Sequence, residues 1–462
     1  MYAPVRPLLA VLSLLVLHAC ALSPEPSSVH VQDEALGNAR MPATWSSMDA
    51  NPGAVEPDWL AKVADSQLQA FVAESIAYNA DLRSAAARVE QASAYVKVAG
   101  GELFPAVAAV GRAAQHVSSD DSGLQGIIAS ASWELDVWGR VRYGVRASKD
   151  QLAATRADYA YARQSLVAMV AKSWFLASEA DLEADLAQGT VAAATELVQL
   201  AQTRAQVGIG SALDVASASV SLQTYRDSLV EIALAREQSL RALELLLGRY
   251  PAAQINPAPS LCALPESVSV GVPAQLLERR PDVIAAERRV DAAFNITQQA
   301  RAARLPQISL SASGSALSSD LFVLKDRSNP AWGVGGKILA PLFSGGALQG
   351  KVAAATAEQN QAVAAYAQTA LQAFDDVETA LANDSALRAR EMLLLVAATD
   401  AENALRLAQT RYQVGSVDFR YVQQQQLAYY VVSMSLLHVK AQRHVQRVNL
   451  YLALGGDFEQ HI

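Results

Sequence analysis

Four stretches of the chain alternate apolar and polar positions with a period of two. In residues 307–316, Ile308, Leu310, Ala312 and Ala316 alternate with Ser309, Ser311, Ser313 and Ser315. In 127–137, Ile127, Ala129, Ala131, Trp133, Leu135 and Val137 alternate with Ser130, Ser132, Glu134 and Asp136. Trp332, Val334, Ile338, Ala340 and Leu342 make a third stripe, and 107–118 a weaker fourth. The pattern predicts strands with one apolar and one polar face. A soluble sheet covered on one side also alternates. A length of about 10 residues, with small hydroxyls in place of ion pairs on the wet face, favours strands of a membrane barrel. Four strands cannot close one, because about eight is the practical minimum and an open edge is not tolerated in lipid. Closure must come from association: two copies give eight strands and three give twelve, and only twelve leave a lumen wide enough for a channel.

The rest of the chain reads as long helices. Arg140 to Leu186 contains no proline, and a second run from Thr190 to Gly248 is interrupted only at Gly208-Ile209-Gly210. At 1.5 Å per residue these are about 70 and 85 Å long. The second half repeats the plan from Gly346 to Ala397 and from Thr399 to Gly455, with Gly415 at the corresponding break. The two halves also match residue by residue. Ala201-Gln202-Thr203-Arg204 with Gln206-Val207-Gly208 recurs as Ala408-Gln409-Thr410-Arg411 with Gln413-Val414-Gly415, a shift of 415 − 208 = 207 that also carries Leu247-Gly248 onto Leu454-Gly455. Asp81-Leu82, Arg88-Val89-Glu90 and Pro105 match Asp282-Val283, Arg289-Val290-Asp291 and Pro306 at a shift of 201. Ordered matches of Gly, Pro and charged residues imply a tandem duplication. The expected division is a signal over 1–19, a linker over 20–57, a first repeat over 58–250, a Pro-bearing linker over 251–273, a second repeat over 274–456 and a tail over 457–462.

The N-terminus sets the destination. Arg6, an apolar run from Leu8 to Leu17 and then His18-Ala19-Cys20 form a secretory signal too short to span a membrane. Leu17-His18-Ala19-Cys20 has the form of a lipobox, which makes Cys20 the expected lipidated first residue; Ala21 after it suits delivery to the outer membrane. Removing the signal removes Arg6, so 37 − 1 = 36 basic residues face 45 acidic ones and the mature chain carries −9.

Composition narrows the function. With 52% hydrophobic residues the chain is not disordered, and a net charge of −8 without any Lys/Arg block argues against nucleic-acid binding. Two cysteines, Cys20 and Cys262, cannot staple 462 residues. Only 6% of residues are aromatic and much of the apolar share is alanine, which lets helices approach closely. No phosphate loop, nucleophile elbow or metal-spaced cluster appears, so neither enzyme nor cofactor nor metal site is expected. His438 and His444 are six apart, off a common helix face, and make poor joint ligands.

Together the lipobox at Cys20, Leu277-Glu278-Arg279-Arg280-Pro281-Asp282-Val283 with Ala286-Glu287, Trp133-Glu134-Leu135-Asp136-Val137-Trp138-Gly139, the paired Gln-Val-Gly breaks and Leu450-Tyr451-Leu452-Ala453-Leu454-Gly455-Gly456 resemble the TolC-like outer-membrane factors, in the lipoprotein branch typified by OprM and NodT. The resemblance implies an α+β membrane protein whose protomer, four strands and long antiparallel helical hairpins, trimerises into a 12-stranded barrel continuing into a helical periplasmic tunnel. It implies a periplasmic adaptor and an inner-membrane pump of the resistance-nodulation-division type as partners, and passive conduction of small molecules. The alternatives are a protein-secretion channel and a periplasmic coiled-coil lipoprotein without a pore. The motif residues Arg279, Arg280, Pro281, Asp282, Gly139, Gly208 and Gly415 take structural roles: Pro281 and Asp282 suit the first turn of a helix, Gly139 the corner between strand and helix, and Gly208 and Gly415 equatorial breaks. The hairpin tips, where the family closes its tunnel, fall near 186–190 and 397–402, making Asp181, Asp185, Asp400 and Glu402 gate candidates. Gln423 to Gln426 in place of the usual Leu-Asp-Ala-Gln, and Leu452 where lysine is common, are departures that bear on packing.

Overall fold

The computed structural model describes residues 24–46, 53, 55, 59–63, 65–112, 125–257, 260–264, 268–318 and 331–456. Cys20, the signal, positions 113–118 of the fourth stripe and the tail lie outside the described residues. Helices α1 (Ser28–Leu36), α2 (Trp59–Lys62), α3 (Ser66–Tyr78) and α4 (Ala80–Gly101) lead into strands β1 (Ala106–Arg112) and β2 (Gln125–Leu135), then α5 (Arg140–Gln206) and α6 (Ala212–Leu246). The second half follows with α7 (Pro273–Arg279), α8 (Pro281–Ala302), β3 (Gln307–Ser318), β4 (Ala331–Leu339), α9 (Ala347–Gln413) and α10 (Phe419–Ala453). Helices α5 and α9 each have 67 residues, α6 and α10 each 35. The sequence shift of 207 carries the bounds of the first pair onto those of the second. The chain forms two compact units, Met1–Arg40 with Ala86–Asp158 and Asp282–Thr369, and Met41–Ala85 with Tyr159–Pro281 and Ala370–Ile462.

The helix plan corrects the sequence reading. No turn occurs at 186–190 or 397–402; α5 and α9 run through both. Gly189 costs about 1 kcal/mol inside a helix, which a long packed helix absorbs. Thr190 and Thr399 turn their hydroxyls back onto the carbonyls of Leu186 (2.8 Å) and Leu395 (2.9 Å), so neither competes for another backbone path. The hairpins turn instead at Gly208 and Gly415. Across the first, Arg236 of α6 binds Asp181 of α5; across the second, Arg443 of α10 binds Glu391 of α9. Steps of 27 and 28 residues from Gly208 (208 − 181 and 236 − 208), and of 24 and 28 from Gly415 (415 − 391 and 443 − 415), reach these partners, so the helices are antiparallel and the glycines are tips, not equatorial breaks. Each tip is a Schellman ending: Ile209 N–H donates to the Arg204 carbonyl and Gly208 N–H to Ala205, repeated by Ser416 to Arg411 and Gly415 to Tyr412. The two glycines have φ of 79° and 82°.

In the second unit, the core gathers around Trp174 of α5, 1% exposed, with Phe71 and Val72 of α3, Leu240 and Leu243 of α6, and Val448 and Tyr451 of α10. The Trp174 indole donates to Asp65 Oδ2 at 2.7 Å and meets Phe71 edge-on at 5.4 Å. Asp65 also accepts from the N–H groups of Gln67 and Leu68, capping α3. Ala168, Ala171 and Ala177 of α5 are fully buried, the close approach that the alanine content implies.

The duplication reaches individual contacts. The end of α6 receives the Asn79 amide on the Leu246 carbonyl (3.1 Å); the end of α10 receives the Arg280 guanidinium on the Ala453 carbonyl (3.4 Å). Residues 79 and 280 are related by the shift of 201, so unlike side chains fill one structural role. The glycine beyond each helix lies under that junction. A Cβ on Gly455, at φ 64°, would meet the backbone of Arg279 and Arg280 at 3.2 Å; one on Gly248 would meet the Tyr78 carbonyl at 2.9 Å. Gly455→Ala therefore adds a backbone clash to the roughly 1–2 kcal/mol of left-handed strain. Gly208→Ala, with nothing within 4 Å, carries the strain alone. Chemical denaturation should show the larger loss of midpoint for Gly455→Ala.

Pro281 opens α8 with Asp282 in its first turn. Asp291 on α8 is 4% exposed and 3.1 Å from Arg288. Burial pushes its carboxyl up to about 6, with Asp150, Glu25 and Glu287 adding to the rise and Arg288 opposing it. A carboxyl raised in the fold is protonated there while the unfolded chain has already ionised, so stability falls as pH rises from about 4 to about 6. Asp291→Asn should flatten that slope, measured by thermal unfolding across the window.

Candidate functional site: the sheet and the hairpin ends

Residues 133–142 make the corner from β2 into α5. Asp136 accepts from the N–H groups of Val141 (3.0 Å) and Arg142 (2.9 Å), placing a carboxylate at the positive end of α5. Glu134 takes the Arg140 guanidinium on both oxygens, at 2.9 and 2.7 Å. Gly139 turns at φ 79°. The Trp133 and Trp138 indoles donate to the carbonyls of Leu103 (3.0 Å) and Pro306 (2.8 Å), tying the corner to the residues just before β1 and β3.

The strands form one antiparallel sheet in the order β1-β2-β3-β4. Its register gathers Ser130, Ser132 and the serines from 309 to 315 onto one face and most of the large apolar side chains onto the other. Val107 sits opposite Ala131, Ala131 opposite Ala312, and Ala312 opposite Val334. Because side chains alternate along each strand, one face carries Val107, Ala109, Ile127, Ala129, Trp133, Ile308, Leu310, Trp332, Val334 and Ile338. The other carries Ser130, Ser132, Ser309, Ser311, Ser313, Ser315, Gly333, Gly335 and Lys337, with Ala108, Val110 and Ile128 among them toward β1. Along β4 neither face is covered: every residue is exposed, with Trp332 at 83% and Val334 at 90%. Strands β1 and β4 each have one unpaired edge among the described residues.

In the second unit both hairpin ends share an apolar cluster of Ala201, Ala218, Ala408, Tyr412, Phe419 and Val422. Arg204 donates to the Tyr412 carbonyl (3.1 Å) and lies 4.7 Å from its ring centroid. Beyond this cluster Val207, Ile209, Leu213 and Val414 are each more than 60% exposed.

Residues 72–249 and 272–456 match the family model described as outer membrane efflux protein. The chain belongs to the outer membrane efflux protein family. Outer membrane protein OprJ of Pseudomonas aeruginosa is 30% identical over 473 residues, spanning 98% of this chain and 96% of OprJ. Cation efflux system protein CusC of Escherichia coli strain CFT073 is 28% identical, over 87% of this chain and 88% of CusC. Among solved structures, the outer membrane protein VceC of Vibrio cholerae superposes with a TM-score of 0.78 at 26% identity, over 88% of this chain and all of that one. The chain is thus an outer-membrane efflux component.

For this family member the gate candidates need relocating. Asp181 is bound to Arg236, and Asp185, Asp400 and Glu402 are exposed along uninterrupted helices. Asp185 is about 30 Å and Glu402 about 16 Å before the ends of their helices. The acids at the turns are Asp214, reciprocally bonded with Ser211, and Asp418, which accepts from the Tyr421 N–H at 3.2 Å. The glutamine run that departs from the family pattern serves packing: Gln423 donates to the Ser217 carbonyl (3.0 Å) and the Ser221 hydroxyl (2.8 Å), joining α10 to α6. Leu452 packs against the Trp174 core.

His438 and His444 stay apart. His444 lies between the carbonyls of Lys440 and Cys262, against the Phe175 ring, and burial pulls its imidazole down. His438 joins Glu179 and Glu183 of α5 in a cluster with metal-ligand spacing. Sequence reasoning expected no metal cluster, and this one joins residues 259 apart in the chain.

Proposed function

We propose that three copies of the chain join the free edges of β1 and β4 to close a twelve-stranded outer-membrane barrel, the passive outer channel of a tripartite efflux pump. The carrying observation is a four-stranded sheet with an apolar face, a second face dominated by serine and glycine, and an unpaired edge on each side among the described residues. Lipid satisfies the first face and water the second, while the edges require partners because no unpaired backbone survives in hydrocarbon. Three times four strands encloses a water-filled lumen. A pore-free coiled-coil lipoprotein leaves the apolar face in water, which counts against that alternative. Planar-bilayer recording of purified protein tests the reading: discrete conductance steps are expected under conditions that open the tunnel, and complete silence contradicts it.

The exposed apolar side chains at the hairpin ends suit docking of a periplasmic adaptor, which couples the channel to an inner-membrane pump of the resistance-nodulation-division type. Val207→Asp with Val414→Asp should leave channel assembly intact and abolish co-purification of the adaptor. Lipidation of Cys20 belongs to the same reading and anchors each copy beside its barrel. Cys20→Ser should lose fatty-acid label while the unlipidated chain keeps its barrel. Small molecules are the cargo class of this proposal, and protein secretion its alternative. Asp181, Asp185, Asp400 and Glu402 are not carried forward as the gate, since their assignment depended on turns that lie elsewhere.

A further inference from the structure

Glu179 and Glu183 stand one turn apart on α5, and His438 faces them from α10. One donor atom from each lies within 4.8 Å of the other two. Glu179 Oε1 is 2.7 Å from His438 Nδ1, and the Gln442 amide is 2.7 Å from His438 Nε2. The Glu179 side chain is 8% exposed and that of His438 53%, so an anchored carboxylate sits behind an imidazole that solvent reaches.

Two features separate this cluster from a solvated acidic patch. First, its carboxyls are only partly compensated. Burial pushes both carboxyls up, the charge of Glu179 pushes Glu183 further, and the His438 imidazole is what draws each back. Glu183 has no hydrogen bond or ion pair among the described residues. Second, the imidazole is held from behind. Metal-bound histidines characteristically give their second nitrogen to an outer partner that fixes the ring, and Gln442 occupies that place.

We propose that Glu179, Glu183 and His438 bind one divalent transition-metal ion of the zinc class. The site joins α5 of the first repeat to α10 of the second. One imidazole nitrogen and two carboxylate oxygens are a borderline donor set, which zinc accepts with bonds of about 2.0–2.2 Å and a fourth position left for water. Such bonds set the donors roughly 3.3 Å apart. The Glu179–His438 contact must widen to that spacing and the Glu183 oxygen must close to it, both by side-chain rotation. Binding at Nδ1 requires a neutral imidazole with one proton. It moves through solvent from Nδ1, where it bridges to Glu179, to Nε2, where the Gln442 amide, rotated by half a turn, accepts it through its oxygen. The site does not depend on the chain forming a channel.

The test is titration of chelator-stripped, full-length protein with Zn²⁺ by calorimetry, paired with thermal unfolding. One ion per chain and a rise in unfolding temperature are expected. Glu183→Gln and His438→Ala should each lower affinity at least about tenfold and remove the rise. Gln442→Leu should weaken binding by roughly 10- to 100-fold without changing the stoichiometry. Because Glu183 makes no bond for its amide to break, Glu183→Gln decides the matter even if His438→Ala folds poorly. No Zn²⁺ binding by the wild type, or unaltered binding by Glu183→Gln, overturns the site.

Discussion

Val334→Arg is expected to abolish assembly in the outer membrane, while Ser313→Arg leaves assembly intact and narrows the pore. Val334 lies near the middle of β4 on the apolar face: it sits opposite Ala312 on β3 and is 90% exposed within its own chain. Arginine at the middle of a lipid-facing strand costs about 2–4 kcal/mol, and a trimer would bear it three times. Ser313 lies between Ser130 and Gly333 on the opposite face, where a long cation can extend into water. Heat-modifiable oligomers in outer-membrane fractions report the first variant, and single-channel conductance the second. Equal assembly of both variants, or the reverse order, would show that the faces have been assigned the wrong way round.

Trp174→Ala is expected to cost about 3–5 kcal/mol, the range for deleting a buried tryptophan. The indole is central because three helices and the α3 cap converge on it. Its ring meets Phe71 and its N–H binds Asp65, whose other oxygen caps α3. Trp174→Phe keeps much of the volume and loses the hydrogen bond, so its cost should be nearer 1–2 kcal/mol. Unfolding midpoints for the two variants in one detergent separate the packing share from the polar one. Equal losses would mean that the bond to Asp65, not the filled core, dominates.

How much of this was legible in the sequence depended on the range of the physics. Period-two alternation is local, so β3 appears where Ile308, Leu310 and Ala312 alternate with serines, and β2 ends within two residues of its reading. The register that gathers those stripes onto one face is not local, and pairs such as Ala131 with Ala312 come from different halves. Turn chemistry misled where it was weak. Gly189-Thr190 and Thr399 are weaker helix formers than their neighbours, but a helix held by its packing passes through them. The true turns carry the stronger signal, a glycine at positive φ with two Schellman bonds, and the paired Gln-Val-Gly motif marked them in both halves. The equivalence of Asn79 and Arg280 was hidden because an amide and a guanidinium perform one task. The Glu179–Glu183–His438 cluster was hidden because its spacing exists only once α5 lies against α10.

Cross-linking between copies tests the central claim most directly. In a Cys262→Ser background, one cysteine is placed at Ala109 on β1 and a second, in turn, at Trp332, Val334 or Gly336 on β4, all on the apolar face. These strands are separated by β2 and β3 within a chain, so a disulfide between them must join two copies. Oxidation in intact outer membranes should yield, for at least one pair, a covalent ladder that stops at three chains. A ladder that stops at two chains or runs past three, or no intermolecular bond for any pair, would contradict closure of the barrel by three copies.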